Sequence, residues 1–287
     1  MQFEIIPNPD AQSDEARAAL MADPGFGRVF TDHMVTIRWS AEQGWHDAKV
    51  SARAPFMLDP ASAVLHYAQE IFEGLKAYRA GDGGVTMFRP EQNAARFNQS
   101  ARRMAMAELP EDVFVQACEE LIRIDEKWVP GGDGSLYLRP FMFANESFLG
   151  VRAAHQVTYS VIASPVGPYF AGGVKPVNIW VTDAYSRAGK GGTGAAKCGG
   201  NYASALRGQL EGAQNGCDQA IYLDSSTHTY VDELGGMNVF FVTKDGKLVT
   251  PELTGTILPG ITRMSILELA KEFDLTPEER KVEIQEW

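Results

Sequence analysis

The sequence predicts a two-domain α/β (α+β) protein, and three observations predict it. Alternating, β-branched stretches and two proline-opened helical stretches share the first half of the chain. A Gly- and Pro-rich stretch, Pro165–Pro176, interrupts that pattern. After it the order becomes strand, lysine-bearing glycine loop, helix and several short strands. The expected division is an N-terminal α+β domain over 1–168, a linker over 169–176 and a second domain over 177–287.

The elements follow in order. Residues 1–24 are polar and Ala-rich, suggesting a loose arm with a short helix. Phe26 to Trp39 alternates and reads as strand; Trp45 to Ala54 continues as short strand and loop. Ala, Leu and Ile at helical spacing predict a helix from Pro60 to Phe72, ended by Gly74. Leu75–Arg79 and Val85–Phe88 form a hairpin about Gly81-Asp-Gly-Gly84. Pro90 opens a helix to about Met106, and Pro110 opens another to about Val129, with Phe114, Cys118, Leu121 and Ile122 on one face. Ser135–Phe143 and Gln156–Val166 are apolar strands of a sheet expected to be antiparallel.

Beyond the linker, Val177–Thr182 reads as strand and Tyr202–Asn215 as a helix stopped by Gly216. Gln219–Leu223, Thr229–Glu233 and Asn238–Val242 are short strands, and Lys244-Asp-Gly-Lys247 is a hairpin turn. Pro259-Gly-Ile-Thr-Arg263 leads into a helix over Met264–Phe273.

Composition excludes several classes of function. A formal net charge of −11 makes the chain a poor ligand for nucleic acid or an anionic membrane. A small anion must then be held by local donors. Cys118, Cys198 and Cys217 are odd in number and scattered, which fits a reducing cytoplasm and neither a disulfide framework nor a metal site. No apolar run approaches membrane-spanning length, and the first residues carry no secretory h-region.

The chemistry centres on Gly191-Gly-Thr-Gly-Ala-Ala-Lys197-Cys-Gly-Gly-Asn-Tyr202. Six glycines lie between Gly189 and Gly200. A plain loop is the commonest meaning of such a run. A phosphate-cradling P-loop needs Gly-Lys followed by Ser or Thr, and here Lys197 lies between Ala196 and Cys198. The sharper reading is a lysine held against a cofactor, forming a Schiff base with pyridoxal 5′-phosphate. Such a site needs a carboxylate to keep the ring nitrogen protonated, donors for the phosphate and a donor for the 3-oxygen. Glu233, where a strand meets Gly235 and Gly236, is the best carboxylate; a solvated loop acid is the alternative. Tyr202 is placed for the 3-oxygen, or for packing at a helix start. Arg96 suits a phosphate or a surface position. The amides of Pro259-Gly260-Ile261-Thr262 precede a helix and suit an anion.

Seven ordered motifs, running from about Phe26 to Arg263, resemble the branched-chain amino acid aminotransferases, which are fold type IV pyridoxal enzymes. They are Phe26-Gly with Phe30-Thr-Asp-His-Met34, Glu73-Gly-Leu-Lys-Ala-Tyr78, Leu136-Tyr-Leu-Arg-Pro140, Gly191-Gly-Thr-Gly194, Lys197-x-Gly-Gly-Asn-Tyr202, Glu233-Leu-Gly-Gly-Met-Asn238 and Leu258-Pro-Gly-Ile-Thr-Arg263. The resemblance implies a cytoplasmic homodimer with the cofactor between two domains. It implies transfer of the amino group of Leu, Ile or Val to 2-oxoglutarate, giving glutamate and 2-oxo acids. By position, Lys197 resembles the Schiff-base lysine, Glu233 the ring-nitrogen partner and Tyr202 the 3-oxygen donor. Arg96, Gly260, Ile261 and Thr262 resemble phosphate-site residues, Leu258 packs on the ring, and Gly236 belongs to the cofactor loop. Tyr67 resembles the tyrosine near the substrate carboxylate, and Phe26, Phe72, Tyr137 and Tyr169 the apolar substrate wall. Arg139 matches an arginine for the distal carboxylate of glutamate, or serves a structural ion pair. Alternatives on the same fold are a D-amino acid aminotransferase and an aminodeoxychorismate lyase; from another class, a non-catalytic cofactor-binding protein. The resemblance also implies further strands and a Gly-Thr-bearing loop past Phe273. The second domain is therefore expected to be incomplete at Trp287, as a fragment or a natural truncation.

Overall fold

The computed structural model describes residues 1–167 and 175–287. The chain divides into two compact units, Met1–Val174 and Lys175–Trp287.

The first unit begins with β1 (Glu4–Ile5) and α1 (Asp14–Ala22), which Ser13 caps by accepting from the Ala16 amide. β2 (His33–Ser40) and β3 (Gly44–Ala52) form an antiparallel pair. The long strand read from Phe26 to Trp39 is thus shorter at its start. Gly25 and Gly27 take positive φ there and turn the chain before it enters the sheet. The helix read over Pro60–Phe72 is also corrected. Only α2 (Ala63–Tyr67) is helical; Ala68 then goes left-handed, and β4 (Glu70–Phe72) pairs antiparallel with Phe141, Met142 and Phe143 of a later strand. Ile71 and Phe72 favour extended backbone, and pairing with Met142 and Phe141 outweighs the local helical spacing.

β5 (Leu75–Arg79) and β6 (Val85–Met87) form the expected hairpin. α3 (Pro90–Arg103) starts with proline at its first position and has Arg102 and Arg103 in its last turn, both favourable to the helix dipole. α4 (Glu111–Ile124) follows, then β7 (Ser135–Ala144) and β8 (Gln156–Val166). The eight-stranded sheet runs β1-β3-β2-β8-β7-β5-β6, with β4 beside β7; its pairs are antiparallel except for β1 with β3. Alternation along β7 separates two faces. Leu136, Leu138 and Met142 are fully buried; Tyr137, Arg139 and Phe141 lie on the other side, half-buried. In the core, Phe97 of α3 packs on Phe114 of α4 and edge-on to Tyr159 of β8, with ring centroids 5.3 and 5.5 Å away.

The second unit opens with β9 (Ile179–Thr182) and α5 (Gly199–Gln214), which leads to β10 (Gln219–Leu223), parallel to β9. α5 begins three residues before the expected Tyr202, directly after Cys198. Gly216 ends it at φ 73°, a conformation that costs a residue with a Cβ. β11 (Val231–Leu234) is antiparallel to β10. β12 (Phe241–Val242) and β13 (Lys247–Pro251) make the second expected hairpin. α6 (Ile261–Leu269) continues as a 3₁₀ turn to Phe273, and β14 (Thr276–Arg280) then pairs parallel with β13. Ile221, Leu223, Val231, Leu234, Val249 and Val282 form one core between the two three-stranded sheets.

Candidate active site

Lys197 sits one residue ahead of the α5 N-cap, Cys198. Asn201 fixes the approach to it. Its side-chain amide donates to the Thr193 carbonyl at 2.8 Å and the Ala196 carbonyl at 2.7 Å, and its Oδ1 accepts from Thr193 Oγ1 at 2.7 Å. The loop is therefore tied to the first turn of α5 on both sides of Lys197. Gly194 lets the loop lie against the bend at Gly255–Ile257: a Cβ there would come within 2.3 Å of the Thr256 carbonyl oxygen. The Ala195 amide donates to the Gly255 carbonyl at 3.1 Å, which holds that contact. That close approach is the physical reason for Gly194.

The Lys197 ammonium donates to the Tyr202 hydroxyl at 2.6 Å and stands 5.2 Å from the centroid of its ring. Gly236 borders the same ring, since a Cβ on it would lie 3.9 Å from Tyr202 Cε1. Glu233 lies on β11 and is 2% exposed. Its Oε1 meets Arg187 Nη1 at 2.8 Å and accepts from the Leu258 amide at 3.1 Å; its Oε2 accepts from Asn238 Nδ2 at 3.2 Å. Burial pushes the Glu233 carboxyl up to about 7, while the Arg187 charge, the Leu258 amide and the Lys197 charge pull the other way. Its neighbour Asp232 is also raised by burial, to about 6. Asn238 Nδ2 also donates to the Leu258 carbonyl at 3.0 Å, and its Oδ1 abuts Gly260, the N-cap of α6. Leu258 and Ile261 are buried, and Thr262 is exposed in the first turn of α6.

The second unit thus gathers Lys197, Tyr202 and Gly236 into one group. It places Glu233 and Leu258 in a second, with Gly260 joined through Asn238. Sequence reasoning missed Arg187, Asn201 and Asn238 as individual site residues. The latter two stand inside quoted motifs, and an asparagine within two residues after a glycine pair was the available signal. No local signal marks Arg187.

Within the first unit, Arg96 forms a bidentate pair with Glu73, Nε to Oε1 at 2.7 Å and Nη2 to Oε2 at 2.8 Å. Arg139 lies over the Phe72 ring at 4.8 Å and the Tyr137 ring at 5.3 Å, and its Nη2 donates to Tyr137 Oη at 3.0 Å. Phe26 packs edge-on to Tyr137 at 5.2 Å, so Phe26, Phe72, Tyr137 and Arg139 form one cluster. Tyr67 keeps different company: its hydroxyl donates to the Leu149 carbonyl, and its ring neighbours are His66 and Phe148. Tyr169 and most of the expected linker lie outside the described residues.

The chain matches the amino-transferase class IV family over residues 70–287. A branched-chain-amino-acid aminotransferase of Mycolicibacterium smegmatis is 53% identical over all of this chain, which covers 79% of that relative. A probable branched-chain-amino-acid aminotransferase of Streptomyces coelicolor is 57% identical over 99% of this chain and 79% of its own length. The chain belongs to the branched-chain-amino-acid aminotransferase family. The crystal structure of the Escherichia coli branched-chain amino acid aminotransferase superposes with a TM-score of 0.73 at 29% identity, covering 87% of this chain and 78% of that one. The T.th. branched-chain amino acid aminotransferase with pyridoxamine 5′-phosphate gives 0.71 at 26% identity, over 87% and 78%. The fold is that of the type IV aminotransferases, whose members depend on pyridoxal phosphate. The branched-chain family accounts for the seven motifs as a set, which favours that reading over the lyase and D-amino acid alternatives.

Proposed function

We propose that this transaminase uses pyridoxal 5′-phosphate bound through Lys197 to move the amino group of Leu, Ile or Val to 2-oxoglutarate. The observation that carries this reading is a half-buried lysine amine on a phenol, with a buried, arginine-paired carboxylate on β11 near enough for the lysine charge to act on it. These residues fit the group. Lys197 supplies the amine, and Glu233 a dehydrated carboxylate for a pyridine nitrogen. Tyr202 supplies a phenol for the 3-oxygen. The Ile261 and Thr262 amides, with the N-terminal dipole of α6, suit a phosphate. Arg96 is assigned to the phosphate by family resemblance.

When bound, pyridoxal phosphate supplies an electron sink for the substrate's α-carbon. Glu233, as carboxylate, keeps the ring nitrogen protonated. Lys197 Nζ takes the proton from the α-carbon and returns it on the other side of the transfer; Tyr202 Oη, at hydrogen-bond distance, orients that amine. The Phe26, Phe72 and Tyr137 cluster favours branched aliphatic side chains by burial, at ~0.8 kcal/mol per CH₂. By family resemblance Arg139 is assigned to the second carboxylate of glutamate, Tyr67 to the α-carboxylate and Tyr169 to the apolar wall. The two half-reactions give ping-pong kinetics.

The active form is a cytoplasmic homodimer. Phe56 packs edge-on against Phe141 and Phe143 on the sheet face opposite the helices, and Met57 beside it is 99% exposed. Such a surface favours a second copy. Among the described residues no helix is long and apolar enough to cross a membrane. The test is amino transfer from leucine, isoleucine, valine and D-alanine, with sedimentation for the assembly. Transfer from the branched L-amino acids alone is expected. A preference for D-alanine, or a monomer at full activity, overturns the corresponding part.

A further inference from the structure

Arg187 stands outside every motif quoted above. Yet it is 5% exposed, and its guanidinium Nη1 lies 2.8 Å from Glu233 Oε1. The same nitrogen donates to the Thr256 carbonyl at 3.0 Å, and the Arg187 carbonyl accepts from Ser204 Oγ of α5 at 2.6 Å. Its Nε is buried and has no hydrogen-bond partner among the described residues. A guanidinium is planar and permanently charged, so it cannot relieve this burial by losing a proton. Burying a cation against a single carboxylate oxygen, with one donor unmet, is a poor arrangement for stability. It is a good arrangement for keeping that carboxylate charged.

We propose that Arg187 is a positioning residue for transamination: it fixes the Glu233 carboxylate and holds it ionised for the cofactor's ring nitrogen. The inference rests on the reading that Glu233 serves that nitrogen. Every group facing Glu233 bears on it. The Leu258 amide and Asn238 Nδ2 are neutral donors, Lys197 adds a second positive charge, and Asp232 opposes both cations from the adjacent position. Lys197 is committed to the reaction and changes charge in it. Arg187 is the group in contact with Glu233 whose charge stays constant. Removing it leaves a dehydrated carboxylate beside Asp232 with only neutral donors and a lysine whose charge comes and goes. Glu233 then binds a proton at higher pH, and the ring nitrogen loses its partner.

The test compares holoenzymes of the wild type, Arg187→Met, Arg187→Lys, Glu233→Gln and the double variant Arg187→Met/Glu233→Gln. The acidic limb of kcat/KM reports groups of the free enzyme. In Arg187→Met that limb moves up by about 1–3 pH units, the span an adjacent opposite charge commands. Arg187→Lys keeps the charge and returns the limb most of the way. In the Glu233→Gln background, adding Arg187→Met changes the rate by less than about threefold, because the residue through which it acts is already neutral. Melting of the full chain supplies a readout apart from activity: the single methionine variant melts below the double variant, since removing one partner strands the other. A single variant that fails to fold beside a double variant that folds is the same result. An unmoved limb, an equal loss of rate in both backgrounds, or equal destabilisation of single and double variants overturns the proposal. None of these outcomes touches the assignment of Lys197, which falls if Lys197→Ala still transaminates.

Discussion

Replacing Glu73 by Gln removes one negative charge from a deeply buried ion pair of the first unit. The Glu73 side chain is 0% exposed and that of Arg96 10%. The carboxylate accepts from Arg96 Nε at 2.7 Å, Arg96 Nη2 at 2.8 Å, Asn93 Nδ2 at 2.7 Å and the Gly74 amide at 3.2 Å. All four partners are donors. A glutamine of the same shape must either present its own NH₂ to donors or leave an oxygen position unfilled, and Arg96 stays charged in both cases. Breaking a buried pair from one side costs about 3–5 kcal/mol. For a unit of this size, at about 2–4 °C per kcal/mol, that lowers the melting temperature by about 6–20 °C. Arg96→Met added to Glu73→Gln removes the stranded cation, so the double variant is more stable than the sum of the two single losses by about 0.5–3 kcal/mol. Thermal denaturation of the four proteins at pH 7 measures this. A shift below about 2 °C for Glu73→Gln, or strict additivity, refutes the claim that α3 is anchored to the sheet through this pair.

Other outcomes follow from the second unit. Gly194→Ala drives a methyl group into the Thr256 backbone and destabilises by about 1–3 kcal/mol, read as a lower urea midpoint. Asp224→Asn acts through pH. Burial raises the Asp224 carboxyl, but the amides of Tyr230, Thr229 and Thr227 outweigh it and hold it well below the usual carboxylate range. A depressed folded-state value means the stabilisation is present above the unfolded value and is lost as pH falls through the folded one. The variant is therefore less stable than wild type at pH 7, and the gap closes only in strong acid; a gap independent of pH contradicts this. Glu233→Gln lowers kcat far more than cofactor occupancy, because an amide cannot keep the ring nitrogen protonated; equal kcat with full occupancy contradicts it.

Much of this was legible along the chain, for local reasons. α3 and α4 carry their own start signals and apolar faces, and β7 and β8 their alternation, so tertiary packing only had to agree with them. The overread helix at Pro60–Phe72 shows where packing disagreed, since Ile71 and Phe72 satisfy their backbone through β7. β14 was invisible for the opposite reason. Thr276-Pro-Glu-Glu-Arg280 has neither apolar alternation nor strand propensity, and is extended because it lies in register with Lys247–Pro251. The site divides the same way. Lys197, Tyr202 and Glu233 stand beside glycines that mark a close approach of backbone. Arg187 and Glu73 meet their partners only after folding, across separations on which no periodicity bears. Arg96 was read for a phosphate or the surface, and the structure shows in addition its pairing with Glu73.

The most direct test is to reduce the loaded enzyme with borohydride, which fixes the pyridoxyl group on whichever lysine holds it, and to map the labelled peptide by mass spectrometry with and without prior leucine. The label is expected on Lys197, and leucine is expected to abolish it by drawing the cofactor into its amine form, whereas D-alanine leaves it in place. A label on Lys190 in the same glycine-rich loop, or on Lys197 but indifferent to leucine, contradicts the account.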